Sequence, residues 1–359
     1  MASVAPTAYT PERISPPGDT IRDILEDTGM SQADLARRMG RPANKINQIV
    51  QGKKEITADT ALELESVLGL PASFWMNREQ NYRLALSERK QREAQAQACE
   101  EAKAFPCAEM ARLGWIEKQT TWLGKYQELL RFFGTAKLNA LKGAVDLAPS
   151  FRKSDGKTAN PQALAAWLCK GLIEAQKLER AEYSKQATLA NLEAFRALTC
   201  RGAKGLTVEL PAFAASLGIA VVFVPHLQKT YVGGAAYWQG DFPIIQLSYR
   251  GSRLDILWFN FFHELGHILF HSSKETYLDD FSADQHPHEL EANQFAADTL
   301  ISPAAWSEFI SNGNFGKTAV SDFSSAVGIA ESIVVGRLHK EGIIPQTKLQ
   351  EYYVKVLEH

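Results

Sequence analysis

The sequence predicts an α+β protein, mainly α, with a five-helix domain at the N-terminus, a helical middle region, and a C-terminal domain that combines a small sheet with helices. Three observations carry this. Between Asp19 and Leu70 apolar residues recur at helical spacing in short blocks, each closed by a glycine at Gly29, Gly40, Gly52 or Gly69. From about 81 to 204 strong helix formers dominate and turn residues are sparse. After Gly205 the pattern changes to the β-rich runs "AVVFV", "VGGAAYW" and "PIIQLS", followed by a long apolar helical stretch.

At 359 residues, 45% hydrophobic and 22% charged, the chain is long enough for two or three domains, each with its own core. The expected division is a flexible N-terminal segment at 1–19, a helix-turn-helix domain at 20–80, a helical linker or bundle at 81–204, and a domain at 205–359 ending in helices. The first twenty residues lack a basic stretch followed by an apolar one, and no run approaches the roughly 18 apolar residues that span a bilayer. A cytoplasmic protein with no membrane partner is expected. Cys99, Cys107, Cys169 and Cys200 are scattered with no C-x-x-C pair, which suits buried free thiols better than disulfides or a thiolate metal site. A net charge of −2 argues against a protein that coats nucleic acid generally, yet leaves room for a local basic surface.

That surface lies in the first domain. Ser31 is a good N-cap for a helix carrying Leu35, Ala36 and Met39 on one face, and Pro42 suits the first turn of the next, which carries Ile46, Ile49 and Val50. Two helices joined by a tight glycine turn make a helix-turn-helix unit. The apolar set of the second leaves Ala43, Asn44, Asn47 and Gln48 facing outward, and an amide can match the donor and acceptor of adenine in the major groove. Arg37, Arg38, Arg41, Lys45, Lys53 and Lys54 cluster in the same window, a phosphate-facing set.

The stretch from Ser31 to Leu70 resembles the lambda-repressor and Cro type of helix-turn-helix in the form seen in HigA antitoxins, a resemblance that extends to the following "FW". It implies that Gln32 touches phosphate, that Ala43, Asn44 and Gln48 face bases, and that Lys53 lies near the DNA backbone. Ala43 departs from the amide common at its place, which reduces its readout to a thymine methyl contact.

In the middle region Trp115, Trp122, Phe132, Phe133 and Trp167 stand at spacings that read as core. No catalytic constellation appears there, and a connecting or sensing role is expected.

The C-terminal domain contains "FFHELGHILFH". His263 and His267 are one helical turn apart, so both imidazoles reach one ion, while the carboxylate of Glu264 beside them can take a proton from an attacking water and hand it to a leaving amine. His271 continues the row but lies about 12 Å along the axis from His263, too far to share that ion. Phe270 and Ser273 stand where a metzincin would need glycine and histidine, which excludes that class. Downstream, His286, His288, Glu289 and Glu291 are available as a third ligand, and helical periodicity does not separate Glu289 from Glu291 because apolar residues occur on several sides of their helix. From about Val208 to Pro303 the chain is similar to the ImmA/IrrE metallopeptidases, a zincin-like fold. That resemblance implies Zn2+ held by His263, His267 and the glutamate opening the E-A-N motif, Glu291. Tyr231, Tyr237, Tyr249 and His226 are the candidates for stabilising an oxyanion. The segment "VSDFSSAVGIAESIVVGRLHKEGIIP" has a second helix, glycine, helix rhythm, but few basic residues, and is expected to pack on the domain core.

Two functions fit. One is a DNA-binding repressor, dimeric on double-stranded operator DNA, with a zinc endopeptidase that ends repression by cutting itself, a sister chain or a partner repressor. The other is a HigA-like antitoxin or plain transcription factor whose peptidase fold binds a toxin or signal without cutting.

Overall fold

A computed structural model describes residues 14–141, 160–250, 253–271, 277–278 and 287–356. The chain forms two compact units, the first up to Ala98 and the second from Cys99 onward.

In the first unit, α1 (Pro17–Thr28), α2 (Gln32–Arg38), α3 (Ala43–Val50) and α4 (Ala58–Leu68) are followed by α5 (Ala72–Lys103), which continues past Ala98. The ends are set by local chemistry. The Ser31 hydroxyl accepts from the Asp34 amide at 3.1 Å and opens α2, Thr57 does the same for α4 through Thr60, and Gly29 and Gly69 close α1 and α4 in the left-handed region. Ile21, Leu35, Ile46, Ile49, Leu64 and Trp75 form the core. Two boundaries differ from expectation. Proline at the first turn starts α1 at Pro17, inside the stretch expected to be flexible, whose residues 1–13 lie outside the described ones. The fifth helix is 32 residues long and runs well past 80, because nothing between Ala72 and Lys103 breaks it.

The second unit is built on a sheet of order β1-β3-β2-β4, from β1 (Ala220–Phe223), β2 (Gly234–Gln239), β3 (Phe242–Leu247) and the two-residue β4 (Tyr277–Leu278). β1 runs parallel to β3; β2 is antiparallel to both β3 and β4. β2 and β3 form a hairpin whose two-residue loop places Gly240 at φ +62°, a conformation that glycine adopts without strain. The sheet is covered on both faces, and the strand alternation sorts the two covers. Ala220, Val222, Ala235, Tyr237 and Ile244 meet Leu164 and Trp167 of α8 (Pro161–Gln176), which follows α6 (Cys107–Arg112) and α7 (Trp122–Phe133). Val221, Ala236, Ile245 and Leu247 meet α10 (Leu254–Phe270), which follows the short α9 (Leu210–Ser216). From Cys99 onward the helical middle is therefore part of the second unit. The Trp167 indole donates to the carbonyl of Val224 at 3.1 Å, and the Gln246 amide donates to the carbonyl of Trp167 at 2.8 Å. Of the aromatic residues expected in the core, Trp167 is fully buried but Trp122 is exposed, with the Lys125 ammonium 4.0 Å from its ring centre. Among the cysteines, all free, Cys107 is buried whereas Cys200 is exposed.

α10 is buried along almost its whole length and packs with the sheet, with α11 (Pro287–Leu300) and with the C-terminal helices α12 (Pro303–Ser311), α13 (Lys317–Val327) and α14 (Glu331–Lys340) in one core. Ile333, Val334, Val335 and Leu338 of α14 belong to the same core, so the second glycine-separated helix pair packs inward as expected. No single helix among the described residues is long and apolar enough to cross a membrane.

The contact between α10 and α11 is tight at one point. A Cβ added at Gly266 would lie 3.0 Å from the Phe295 ring edge and 3.3 Å from the Cα of Ala292. Glycine inside a helix costs about 1 kcal/mol against alanine, so close helix approach is what justifies it here. Gly266→Val is expected to lower stability by about 1–3 kcal/mol through overpacking, read from urea unfolding of the full chain. An unchanged midpoint would mean that α11 is not held against α10 at this point.

Candidate metal centre and nucleic-acid interface

On α3 the buried side is Ile46, Ile49 and Val50, and this leaves Ala43, Asn44, Lys45, Asn47 and Gln48 exposed. Gln32, at the start of α2, is half-buried, and Lys53 is exposed just beyond α3. The outward set read from the sequence is thus solvent-facing. The basic set is smaller than it reads. Arg41 donates from both Nε and Nη2 to the Glu63 carboxylate, which raises its pKa, and Arg37 pairs with Asp34 at 2.7 Å. Lys45 and Lys54 stand close enough that the charge of Lys45 lowers the pKa of Lys54.

On α10, His263, Glu264 and His267 are all buried, at 2%, 0% and 1% exposure. The Nε2 atoms of His263 and His267 are 3.0 Å apart. The third group is Glu289: its Oε2 lies 3.2 Å from Nε2 of His263 and its Oε1 lies 3.4 Å from Nε2 of His267. Ligand atoms about 2.0 Å from a tetrahedral ion stand about 3.3 Å from one another, so this triangle has the dimensions and the two-nitrogen, one-oxygen chemistry of a divalent-metal site. Burial lowers the pKa of His267. Burial would raise that of Glu289, but the imidazoles of His263 and His267 against it outweigh burial and hold the carboxyl at about 2. Both are therefore unprotonated near neutral pH, the form that binds a cation.

The geometry brings Glu289, rather than the expected Glu291, to the two histidines. Glu291 does not reach His263 or His267 but meets His271 at the C-terminal end of α10: it is 57% exposed, with Oε2 3.2 Å from Nε2 of His271. At 3.6 residues per turn, two residues turn a helix through about 200°, so Glu289 and Glu291 do not point at the same pair of histidines. The facing stripe is Glu289, Ala292, Asn293, Ala296 and Leu300, of which the apolar members are buried. Asn293, one turn after Glu289, brings its Oδ1 to 3.0 Å from Nδ1 of His263 and fixes the ring that presents Nε2 to the site. Periodicity alone was ambiguous because Leu290, 53% exposed, and Phe295 place apolar side chains off that stripe. The small residues Ala292 and Ala296, matched to Gly266, were the signal that could have resolved it.

Glu264 turns toward the sheet. A Cβ added at Gly234 of β2 would fall 2.6 Å from its Oε1, so the absent side chain of Gly234 makes the room for this carboxyl. Of the four oxyanion candidates, Tyr237 lies on the α8 face of the sheet, where its hydroxyl donates to Gln246 at 2.9 Å. Tyr231 lies beneath the Arg250 guanidinium, Tyr249 stacks on Phe223, and His226 is exposed. His286 is outside the described residues, and the His288 ring stacks on His271 at 4.2 Å.

Comparison with known proteins matches both regions. Residues 21–75 match a helix-turn-helix family and residues 214–314 match the IrrE N-terminal-like domain of a peptidase family. The chain is 37% identical over 73 residues to virulence-associated protein I of Dichelobacter nodosus, covering 20% of this chain and 68% of that protein. It is 29% identical over 73 residues to the uncharacterized HTH-type transcriptional regulator YddM of Escherichia coli K12, covering 20% of this chain and 78% of that protein. Among solved structures, the Pseudomonas aeruginosa antitoxin HigA with the higBA promoter is 32% identical, covering 23% of this chain and 90% of that one, at a TM-score of 0.22.

The exposed face of α3 leads to separable outcomes in DNA binding. Asn44→Ala and Gln48→Ala should each cost about 1–3 kcal/mol on a preferred duplex and little on random DNA, measured by fluorescence anisotropy. Lys53→Ala should weaken binding to all duplexes and reduce the slope of log affinity against log salt by about one. Equal losses on every sequence for the two amides would show that they do not read bases.

Proposed function

We infer that this chain, which belongs to the helix-turn-helix family of transcriptional regulators and carries a peptidase-family domain of the IrrE N-terminal-like type in the same polypeptide, is a repressor with its own zinc endopeptidase. The first unit binds double-stranded operator DNA, as a dimer on a palindrome with half-sites one helical turn apart. The second cuts a peptide bond in its own chain, a sister chain or a partner repressor, and so ends repression. The observation that carries this reading is the triangle of buried His263, buried His267 and half-buried Glu289 with buried Glu264 beside it.

His263 and His267, through Nε2, and Glu289, through its carboxylate, would hold the ion. Bound zinc supplies Lewis acidity toward the scissile carbonyl. The chain's own residues do the rest. Asn293 orients His263. Glu264 takes the proton of the attacking water and returns it to the leaving amine, and its placement against Gly234 fixes the direction from which it acts. The competing reading, a regulator whose peptidase fold binds a toxin or signal without cutting, is favoured by the complete burial of Glu264.

Metal content and fragment analysis of the purified full chain separate the roles. His263→Ala, His267→Ala and Glu289→Ala should lose zinc, and since binding energy is also folding energy, should unfold at lower temperature than the zinc-loaded wild type. Glu291→Ala should still take up one zinc. Glu264→Gln keeps shape and burial but cannot accept a proton, so it should hold zinc and leave no fragments in mass spectra. A Glu264→Gln chain that cuts as well as the wild type would remove Glu264 as the base. Its release from operator DNA as readily as the wild type would favour the non-cutting reading.

A further inference from the structure

We propose that His271 and Glu291 form an outer relay that fixes the ring of His267 so that its Nε2 lone pair faces the metal centre; this rests on the metal-site reading above. The two metal-facing histidines are held in different ways. His263 has a simple partner, Asn293, whose Oδ1 can only accept from Nδ1. His267 has another imidazole: its Nδ1 lies 2.8 Å from Nδ1 of His271. Two ring nitrogens at that separation share one hydrogen, and which ring carries it is fixed by what the far nitrogens do.

The far nitrogen of His267 is 3.4 Å from Glu289 and 3.0 Å from Nε2 of His263, where a ligand lone pair is required. Its hydrogen is therefore on Nδ1, and Nδ1 donates to His271. Nδ1 of His271 then accepts, so the hydrogen of that ring is on Nε2, which donates to the Glu291 carboxylate at 3.2 Å. With both rings neutral, this arrangement satisfies the Nδ1–Nδ1 contact and the contact of His271 with Glu291, and it turns the Nε2 lone pair of His267 toward His263 and Glu289, where a cation would be held. His271 cannot be a fourth ligand to the same ion, because the nitrogen nearest His267 faces the wrong side of that ring. The His271 side chain is 2% exposed and stacked on His288 at 4.2 Å, whereas Glu291 is 57% exposed. The relay thus begins in the dry core and ends in a carboxylate at the surface, a longer version of the carboxylate, histidine, metal arrangement that orients ligands elsewhere.

The test uses the full-length protein and zinc as the probe, with affinity taken from competition against a chromophoric chelator. His271→Phe keeps the ring volume and the stack on His288 but removes both nitrogens. It should weaken zinc binding about 10–100-fold, the usual consequence of losing an outer-shell partner, while the unfolding temperature of the metal-free chain stays at the wild-type value. His271→Gln, whose amide oxygen can accept from Nδ1 of His267, should recover part of the loss. Glu291→Ala should show a smaller loss in the same direction. In zinc-loaded protein with 15N-labelled histidine, the Nδ1 hydrogen of His267 should give a protected downfield NMR signal that disappears in His271→Phe. Unchanged zinc affinity in His271→Phe, beside a His263→Ala control that loses zinc, would overturn the relay and leave the metal centre standing. So would a weakening matched by an equal loss of metal-free stability, which would make His271 a packing residue. A wild-type chain that takes up no zinc would instead overturn the metal centre itself.

Discussion

The second unit depends on how closely two helices approach. Gly266 of α10 meets Ala292 of α11 with no side chain between them, and this brings Glu289 within 3.4 Å of both histidine nitrogens. A carboxylate side chain spans only a few ångströms, so an extra methyl between the helices would take the third ligand out of reach. The glycine in the middle of the H-E-x-x-H spacing has no part in the chemistry; it sets the distance at which the chemistry is assembled. Gly234 does the same on the sheet side, where a methyl would occupy the place of the Glu264 carboxyl.

Polar groups this deep in a core need a reason. An ionised carboxylate moved from water into a protein interior loses several kcal/mol of solvation unless charge or hydrogen bonds replace it. Here the carboxylates of Glu264 and Glu289 and the imidazoles of His263, His267 and His271 lie within one region beside a core built mainly of aliphatic and aromatic side chains. Part of the compensation is internal, through the bonds of His263 to Asn293, of His267 to His271, and of His271 to Glu291. A divalent cation would supply more, since it would neutralise Glu289 and use the Nε2 lone pairs that otherwise face one another.

The sequence made legible whatever is local. The N-cap at Ser31, the glycine stops, the strands and the paired histidines on one helix face all follow from spacing within a few residues. What it hid depends on contacts far apart in the chain. Trp167 reads as part of a helical bundle, and only the fold reveals that its indole bonds to Val224 and that its helix covers the sheet. Trp122 reads as core, yet it is exposed beneath a lysine, because an aromatic residue at helical spacing says nothing about whether a partner helix arrives. Glu289 and Glu291 are indistinguishable until the side of α11 that meets Gly266 is known. That side is set by small residues, which hydrophobic periodicity does not weigh.

The first unit carries a different constraint, and it is electrostatic. Arg41 and Arg37 are neutralised within the unit by Glu63 and Asp34, so their charge contributes little to an external field. Lys45 and Lys54 are left near each other with too little acid to offset them, and Lys54 gives up its proton more readily as a result. Folding alone gives no reason to bring Lys45, in the first turn of α3, close to Lys54, just beyond its other end; the two charges repel. A polyanion reverses the sign of that balance, because each phosphate draws in the same charges that repel one another in its absence, and releases its own counterions in doing so. The near-neutral total charge of the chain hides this, since the acids that balance it lie elsewhere. A surface that is unfavourable when empty and favourable against phosphate is a stronger indication of DNA than a count of basic residues, and it lies beside the amides of α3 that would read the bases.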